Sequence, residues 1–297
     1  MYNLLAVLTG MIISVMIAIN GGLTKGYGVY FAAVIIHVVG VLFALVLCFA
    51  GKRKIQIRST APKWAYLGGV IGVLTTFCNN CAYGKISMTS IVALGLLGQS
   101  VTSIVLDAHG FLGIPAQKMK KTAWIGFAPA VVGIFVMLDK SVSDSLTAVL
   151  ISFAAGISIV LSRTVNARLS RETGPLNGSL INHLAGLPVC IILLQLFQKT
   201  IWTAPAGTKA WMYLGGTLGV ITVLLLNIVV PKVTAFRLTL LSFIGQVFTG
   251  AAIDLLGGQK QLDASFAGGI IIAAGLILNI LIEHWNHKKD YPDGAGF

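Results

Sequence analysis

Two carboxylates stand inside long apolar runs of this chain, Asp107 and Asp254, and each follows a glutamine by eight residues, Gln99 and Gln246. An ionisable group at the centre of a membrane helix costs at least about 2.5–3.5 kcal/mol, so it is a functional candidate by default. Eight residues is just over two helical turns, which places Gln and Asp on one helix face roughly 12 Å apart. The amide could bind a polar solute at mid-depth and the acid could gate its passage. Each aspartate also lies about one turn from the end of its run, just before Gly110 or Gly257. There a carboxylate serves equally to tie down backbone N–H groups or a basic residue.

Other polar residues fall inside the apolar runs. Asn20, Asn79, Asn80, Asn166 and Asn227 sit toward run ends, where glycines such as Gly21 and Gly22 could loosen a helix and turn backbone toward a cavity. Ordinary helix-end hydrogen bonding is the alternative. Ser14 and Ser103 are further candidates to line such a cavity, with the two glutamines and the asparagines, as binders of a small-molecule substrate. His37 and His183 could relay protons, since imidazole titrates near neutral pH, or could simply bond a neighbouring helix. Lys85 and Lys232 stand beside short loops, where lysines snorkel to the interface and anchor.

Several chemistries are disfavoured. Cys78 and Cys81 have C-x-x-C spacing but no second pair and no histidine at ligand distance, so all four cysteines read as small buried hydrophobes. Neither a metal nor a cofactor is expected. No phosphate-cradling loop, H-E-x-x-H helix or nucleophile elbow appears, so no catalytic residue is assigned and the chain does not read as an enzyme. The net charge of +12 comes from Lys and Arg scattered at run ends. That pattern belongs to membrane lipid headgroups, not to nucleic acid.

The elements that must hold these groups are membrane helices. Hydrophobic residues make up 56% of the chain and charged ones 10%, against about 25% charged in soluble domains. Apolar runs of about 20 residues, the length that crosses the bilayer core, recur throughout. Ten spans are predicted, at 3–23, 28–50, 64–83, 88–111, 122–138, 146–163, 177–197, 210–230, 235–256 and 264–284. Glu283 sits at the exit of the last. The first span lacks a positive leader and a cleavage site, so it is expected to stay in the protein. Fifteen of the 21 Lys and Arg residues, Arg163, Arg168 and Arg171 among them, fall on the side of the N-terminus. The positive-inside rule then puts both termini in the cytoplasm.

The chain also repeats itself. A shift of 147 overlays Trp64-Ala-Tyr-Leu-Gly-Gly on Trp211-Met-Tyr-Leu-Gly-Gly and pairs Gln99 with Gln246 and Asp107 with Asp254. A shift of 146 pairs Asn20 with Asn166, Gly28 with Gly174, His37 with His183 and Gly40 with Gly186. Two five-span halves, 1–142 and 143–297, follow. An odd span number forces the second half to insert upside down. In all four homologous loop pairs the copy on the predicted cytoplasmic side holds more Lys and Arg. Inverted repeats of this kind mark secondary transporters with a site near the midplane.

Three features together resemble the drug/metabolite transporter superfamily, in its YdcZ-like branch, as a fused ten-helix form. They are the repeated Gly-Gln…Asp…Gly series, the Trp-x-Tyr-Leu-Gly-Gly openings, and Asn166-Ala-Arg-Leu with its counterpart Asn20-Gly-Gly-Leu. The resemblance implies an all-α integral membrane fold. It also implies a central cavity enclosed by the first, third and fourth helices of each half, with the fifth and tenth outside. The expected function is secondary transport or facilitated passage of a small polar metabolite across the cytoplasmic membrane by alternating access. No acid stands at mid-depth of the first span, which favours a neutral, zwitterionic or weakly charged solute over a cationic drug. Flipping or modifying a lipid-linked headgroup is the alternative. Membrane lipids are the expected surroundings; a monomer is sufficient, and a homodimer stays open.

Overall fold

Apolar runs without a charge leave the backbone only one way to satisfy its own N–H and C=O groups in hydrocarbon, the α-helix. The computed structural model describes the backbone of residues 1–82, 85–86, 88–113, 115–116, 123–138, 140–143, 145–198, 204–256 and 264–290. Those residues form ten α-helices: α1 Tyr2–Tyr27, α2 Val29–Ala50, α3 Gly68–Ala82, α4 Met88–His109, α5 Ala123–Met137, α6 Leu146–Thr173, α7 Pro175–Phe197, α8 Gly215–Val229, α9 Ala235–Leu256 and α10 Ala264–Asp290. Short 3₁₀ turns, Lys63–Leu67 and Ala210–Leu214, lead into α3 and α8. Seven segments among the described residues are long and apolar enough to cross a membrane, on α1, α2, α4, α6, α7, α8 with its leading turn, and α9. Helices α3 and α5 have 15 residues each, about 22 Å at 1.5 Å per residue, less than the bilayer core. Large apolar side chains such as Leu42, Val46, Phe49, Phe135 and Leu150 face outward, as a hydrocarbon solvent permits.

One boundary departs far from expectation. The sixth span was expected to end at 163, with Arg163 in a cytoplasmic loop, yet α6 runs ten residues further to Thr173. Arg163 therefore lies inside the helix and is buried. The helix stops only at Gly174, whose φ of 84° is left-handed and suits glycine alone. Gly28 ends α1 in the same way, at φ 77°.

The packing repeats as the sequence does. Helix α1 lies against α8 and α9, and α6 lies against α3 and α4. Likewise α2 packs on α8 and α7 on α3, while α2 pairs with α7 and α5 with α10. Exchanging the first five helices for the last five leaves this set unchanged. The crossings agree residue by residue. A Cβ on Gly98 would run into the carbonyl of Phe153, and one on Gly245 into that of Val7. A Cβ on Gly156 would meet the carbonyl of Gly95, and one on Gly10 that of Ser242. Small residues let these backbones touch, the usual adhesive between membrane helices.

Two substitutions one turn apart on α4 test this contact. A Cβ on Gly95 finds nothing nearer than the Ser152 carbonyl at 3.9 Å. Gly95→Ala is therefore expected to be neutral, or to gain up to about 1 kcal/mol of helix propensity. Gly98→Ala is expected to lose about 1–3 kcal/mol through overpacking. Thermal melting of the two variants in detergent checks the contrast, and equal midpoints would refute the close α4–α6 contact.

Candidate functional site

Between the two sets of helices lies a cavity of about 270 Å³. Its walls come from α1 (Met16), α2 (His37), α3 (Gly69, Gly72, Thr75), α6 (Ile159, Ser162, Arg163, Asn166), α7 (Asn182, His183) and α8 (Gly219, Thr222, Val223, Leu226, Asn227). None of these lining residues is on α5 or α10. None is on α4 or α9 either, although the first, third and fourth helices of each half were expected to enclose it. The second helix of each half takes that place, because its histidine projects inward.

The histidines meet across the pseudo-symmetry. Their ring centroids are 5.6 Å apart. Each ring packs where a glycine of the opposite half leaves room: a Cβ on Gly186 would strike His37, and one on Gly40 would strike His183. His37 Nδ1 lies 2.9 Å from the Ala33 carbonyl and His183 Nδ1 2.9 Å from that of Ser179. A carbonyl only accepts, so each Nδ1 carries the hydrogen, and a neutral ring then offers Nε2 as an acceptor.

The asparagines are held against glycines. Asn166 Nδ2 donates to Asn182 Oδ1 at 2.8 Å, and its oxygen lies where a Cβ on Gly68 would be. Ser162 Oγ donates to the Gly68 carbonyl at 2.7 Å. Thr75 and Ser158 share a hydroxyl contact of 2.5 Å. Asn227 Nδ2 donates to the Pro175 carbonyl at 3.1 Å. Its Oδ1 and the hydroxyl of Thr222 are buried without a hydrogen-bond partner. A buried polar atom in that condition costs about 1–3 kcal/mol, which a bound solute or water would relieve.

Arg163 is the only arginine or lysine on this wall. Its Nη2 donates to Thr239 Oγ1 (2.6 Å), the Ala235 carbonyl (3.0 Å) and Ser103 Oγ (3.1 Å). These contacts fix the guanidinium to α4 and the start of α9. Next to it, Asp107 accepts from the backbone N–H of Ala235 at 2.8 Å and of Phe236 at 2.9 Å. The carboxylate thus closes the first turn of α9.

Of the residues singled out from sequence, His37, His183, Asn166 and Asn227 come together in the cavity. Ser103 does not line it but holds Arg163 from behind. Gln246 donates back to the Ser242 carbonyl on its own helix at 3.3 Å. Gln99 is half-buried on α4, also outside the lining. Both glutamines stand outside this cavity's lining, because α4 and α9 are turned toward α6 and α1 by their glycine crossings. Ser14 lies on α1 near Gly250. The oxygen of Asn20 is buried against Gly215, opposite in the repeat to Asn166 on Gly68. Asn79 is half-buried on α3, away from the lining. The side chains of Asn80, Asp254 and Glu283 lie outside the described residues. Sequence reasoning missed Arg163, Ser162, Asn182, Thr75 and Thr222.

Comparison with known proteins agrees with this architecture. A family model described as "Putative inner membrane exporter, YdcZ" matches the chain twice, over residues 1–136 and 147–282. No curated protein matches it. Among 28 solved chains that do match, one described as "Crystal structure of protein" superposes with a TM-score of 0.72 over 95% of this chain and 96% of its own, at 13% identity. That likeness is one of fold.

Proposed function

The chain belongs to the YdcZ family of the drug/metabolite transporters, and from that premise we propose that it moves a small polar metabolite across the inner membrane by alternating access. The observation that carries the reading is the cavity between two sets of helices that the repeat interchanges, lined by polar groups partly without partners. A solute site near the junction of two repeats is what rocking of one half on the other requires. The halves are 1–142 and 143–297, inserted in opposite senses, with ten membrane segments and both termini in the cytoplasm. The 15-residue helices α3, α5 and α8 span with help from their flanking turns and neighbours. Transport is outward, in keeping with the family description. That description does not favour a lipid flippase or a membrane enzyme.

The binding groups are His37, His183, Asn166, Asn182, Thr222 and Asn227, with Arg163 at one wall. Asp107 acts by holding α9 in place. The test is efflux from liposomes that contain the purified protein and are loaded with a defined mixture of amino acids, hydroxy acids, sugars and amines. Mass spectrometry of the external medium should show one class leaving faster than from protein-free vesicles. Identical leakage of every class would sink the transporter reading.

A further inference from the structure

The cavity's polarity is lopsided in a way the repeat itself exposes. At the 146-residue shift, Ser162 and Arg163 correspond to Met16 and Ile17, and Asn182 corresponds to Ile36. His37 and His183, and Thr75 and Thr222, are by contrast kept in both halves. Three polar residues peculiar to the second half therefore face one cavity, and one is a cation with only 6% of its surface exposed. A structural role shared by both halves would not produce that difference. A ligand with a distinct charged end would.

The charge balance at that wall has a definite sign. Asp107 lies within electrostatic reach of Arg163, but both its oxygens are spent on N–H groups at the start of α9. A helix N-terminus carries roughly half a positive charge. One carboxylate set against a guanidinium and a helix start leaves a net positive field of about half a unit. That field suits a monoanion and is too weak for a dianion such as hydrogen phosphate. Arg163 uses one of its nitrogens on protein oxygens, and among the described residues its Nε and Nη1 donate to no protein atom. Elsewhere on the wall Asn182 Nδ2 can donate, and other groups without partners accept. They are Asn227 Oδ1, which is unpartnered at 3% exposure, and the Nε2 atoms of the two neutral histidines. The Thr222 hydroxyl, also unpartnered, can do either. A volume of about 270 Å³ falls just under the range of drug-sized pockets.

On these grounds, and resting on the transport reading above, we propose that the substrate is a small hydroxy- or amino-carboxylate. Its carboxylate lies against Arg163, and its hydroxyl or amino hydrogens are directed at Asn227 and Thr222.

Matched probes test this. L-lactate against lactamide, and L-serine against serinamide, differ in the carboxylate and little else. Binding to the purified protein is read from thermal melting and titration calorimetry in detergent, with inorganic phosphate as a further probe. The carboxylates should stabilise the wild type and their amides should bind at least about tenfold more weakly, the loss expected for a charge-assisted hydrogen bond. Arg163→Lys should weaken lactate and serine while leaving the amides unchanged. Asn227→Leu should narrow the preference for lactate over propionate, which lacks the hydroxyl. The wild-type comparison stands even if a variant fails to fold. Equal binding of acid and amide, preference for phosphate, or no stabilisation by any carboxylate would each overturn the assignment. Efflux of the same probes from liposomes separates the two readings. Flux of only a neutral or cationic solute removes the carboxylate and keeps the transporter. Tight carboxylate binding without flux in either direction keeps the site and removes transport.

Discussion

Asp107→Ala is expected to lose most of the folded protein, by about 4–6 kcal/mol, and not merely to slow transport. The carboxylate receives the N–H groups of Ala235 and Phe236, so its removal uncaps α9 where water cannot substitute. Loss of a helix cap alone costs about 0.5–2 kcal/mol. Each buried N–H left without an acceptor costs about 1–3 kcal/mol. The buried Arg163 guanidinium also loses a nearby negative charge, which adds to the loss because a buried charge is costly without compensation. These contributions overlap, which is why the expected total is below their full sum. Asp107→Asn keeps one acceptor and should fall between the two. Adding Arg163→Gln to Asp107→Asn should recover part of the loss, because the uncompensated cation is gone. Melting temperature and monodisperse yield in detergent report the outcome. An Asp107→Ala protein with wild-type melting but abolished efflux would show a gate instead of a tie.

That same aspartate shows how far the residues alone can be read. Its rarity in hydrocarbon and its repetition as Asp254 were plain in the sequence, and so was its place one turn from a helix end. Whether it faces solute or backbone depends on where α9 begins, which is a matter of tertiary packing. Arg163 was hidden for a different reason. A charge after an apolar run is the ordinary signal that a span has ended, so the polar stretch Arg163-Thr164-Val165-Asn166 reads as loop. The repeat held the correction, since pairing Gly28 with Gly174 requires the helices before them to end alike, and α1 reaches Tyr27. The asymmetric positions Ser162, Arg163 and Asn182 were equally available as places where the two copies disagree.

The glutamines illustrate the opposite case. Their mid-span position and repetition are visible, yet facing is set by which side of α4 and α9 carries the glycines. Gly98 and Gly245 are each the neighbour before the glutamine, and they press against α6 and α1. A residue one position along a helix points about 100° away, so contact at the glycine turns the glutamine off that line. The histidines were legible because each has a glycine partner, Gly186 and Gly40, at the matching place in the other half. Helix type and the two-part repeat are legible whatever the facing of one side chain, because they rest on many residues and not on one rotation.

Gly72→Leu is expected to cut efflux by roughly 5–150-fold while leaving the fold intact. A Cβ at this position of α3 meets only Ser162 Oγ, at 3.3 Å, so a larger side chain extends into the cavity that Gly72 lines. The Ser162 hydroxyl must give by a few tenths of an ångström to admit the Cβ, so the thermal midpoint should fall only slightly. A solute that must share the site with a leucine is overpacked by about 1–3 kcal/mol, a roughly 5–150-fold loss of occupancy. Gly219→Leu, the equivalent change on α8, approaches His183 Nε2 at 3.2 Å and should block equally at some cost in stability. Neither glycine belongs to the helix crossings whose carbonyls collide with an added Cβ, so a misfolded protein is not the expected explanation of lost flux. Efflux from liposomes and melting in detergent, measured on the same preparation, separate the possibilities. Undiminished flux through Gly72→Leu would mean that the solute does not pass by this cavity, and the proposed site would fall with it.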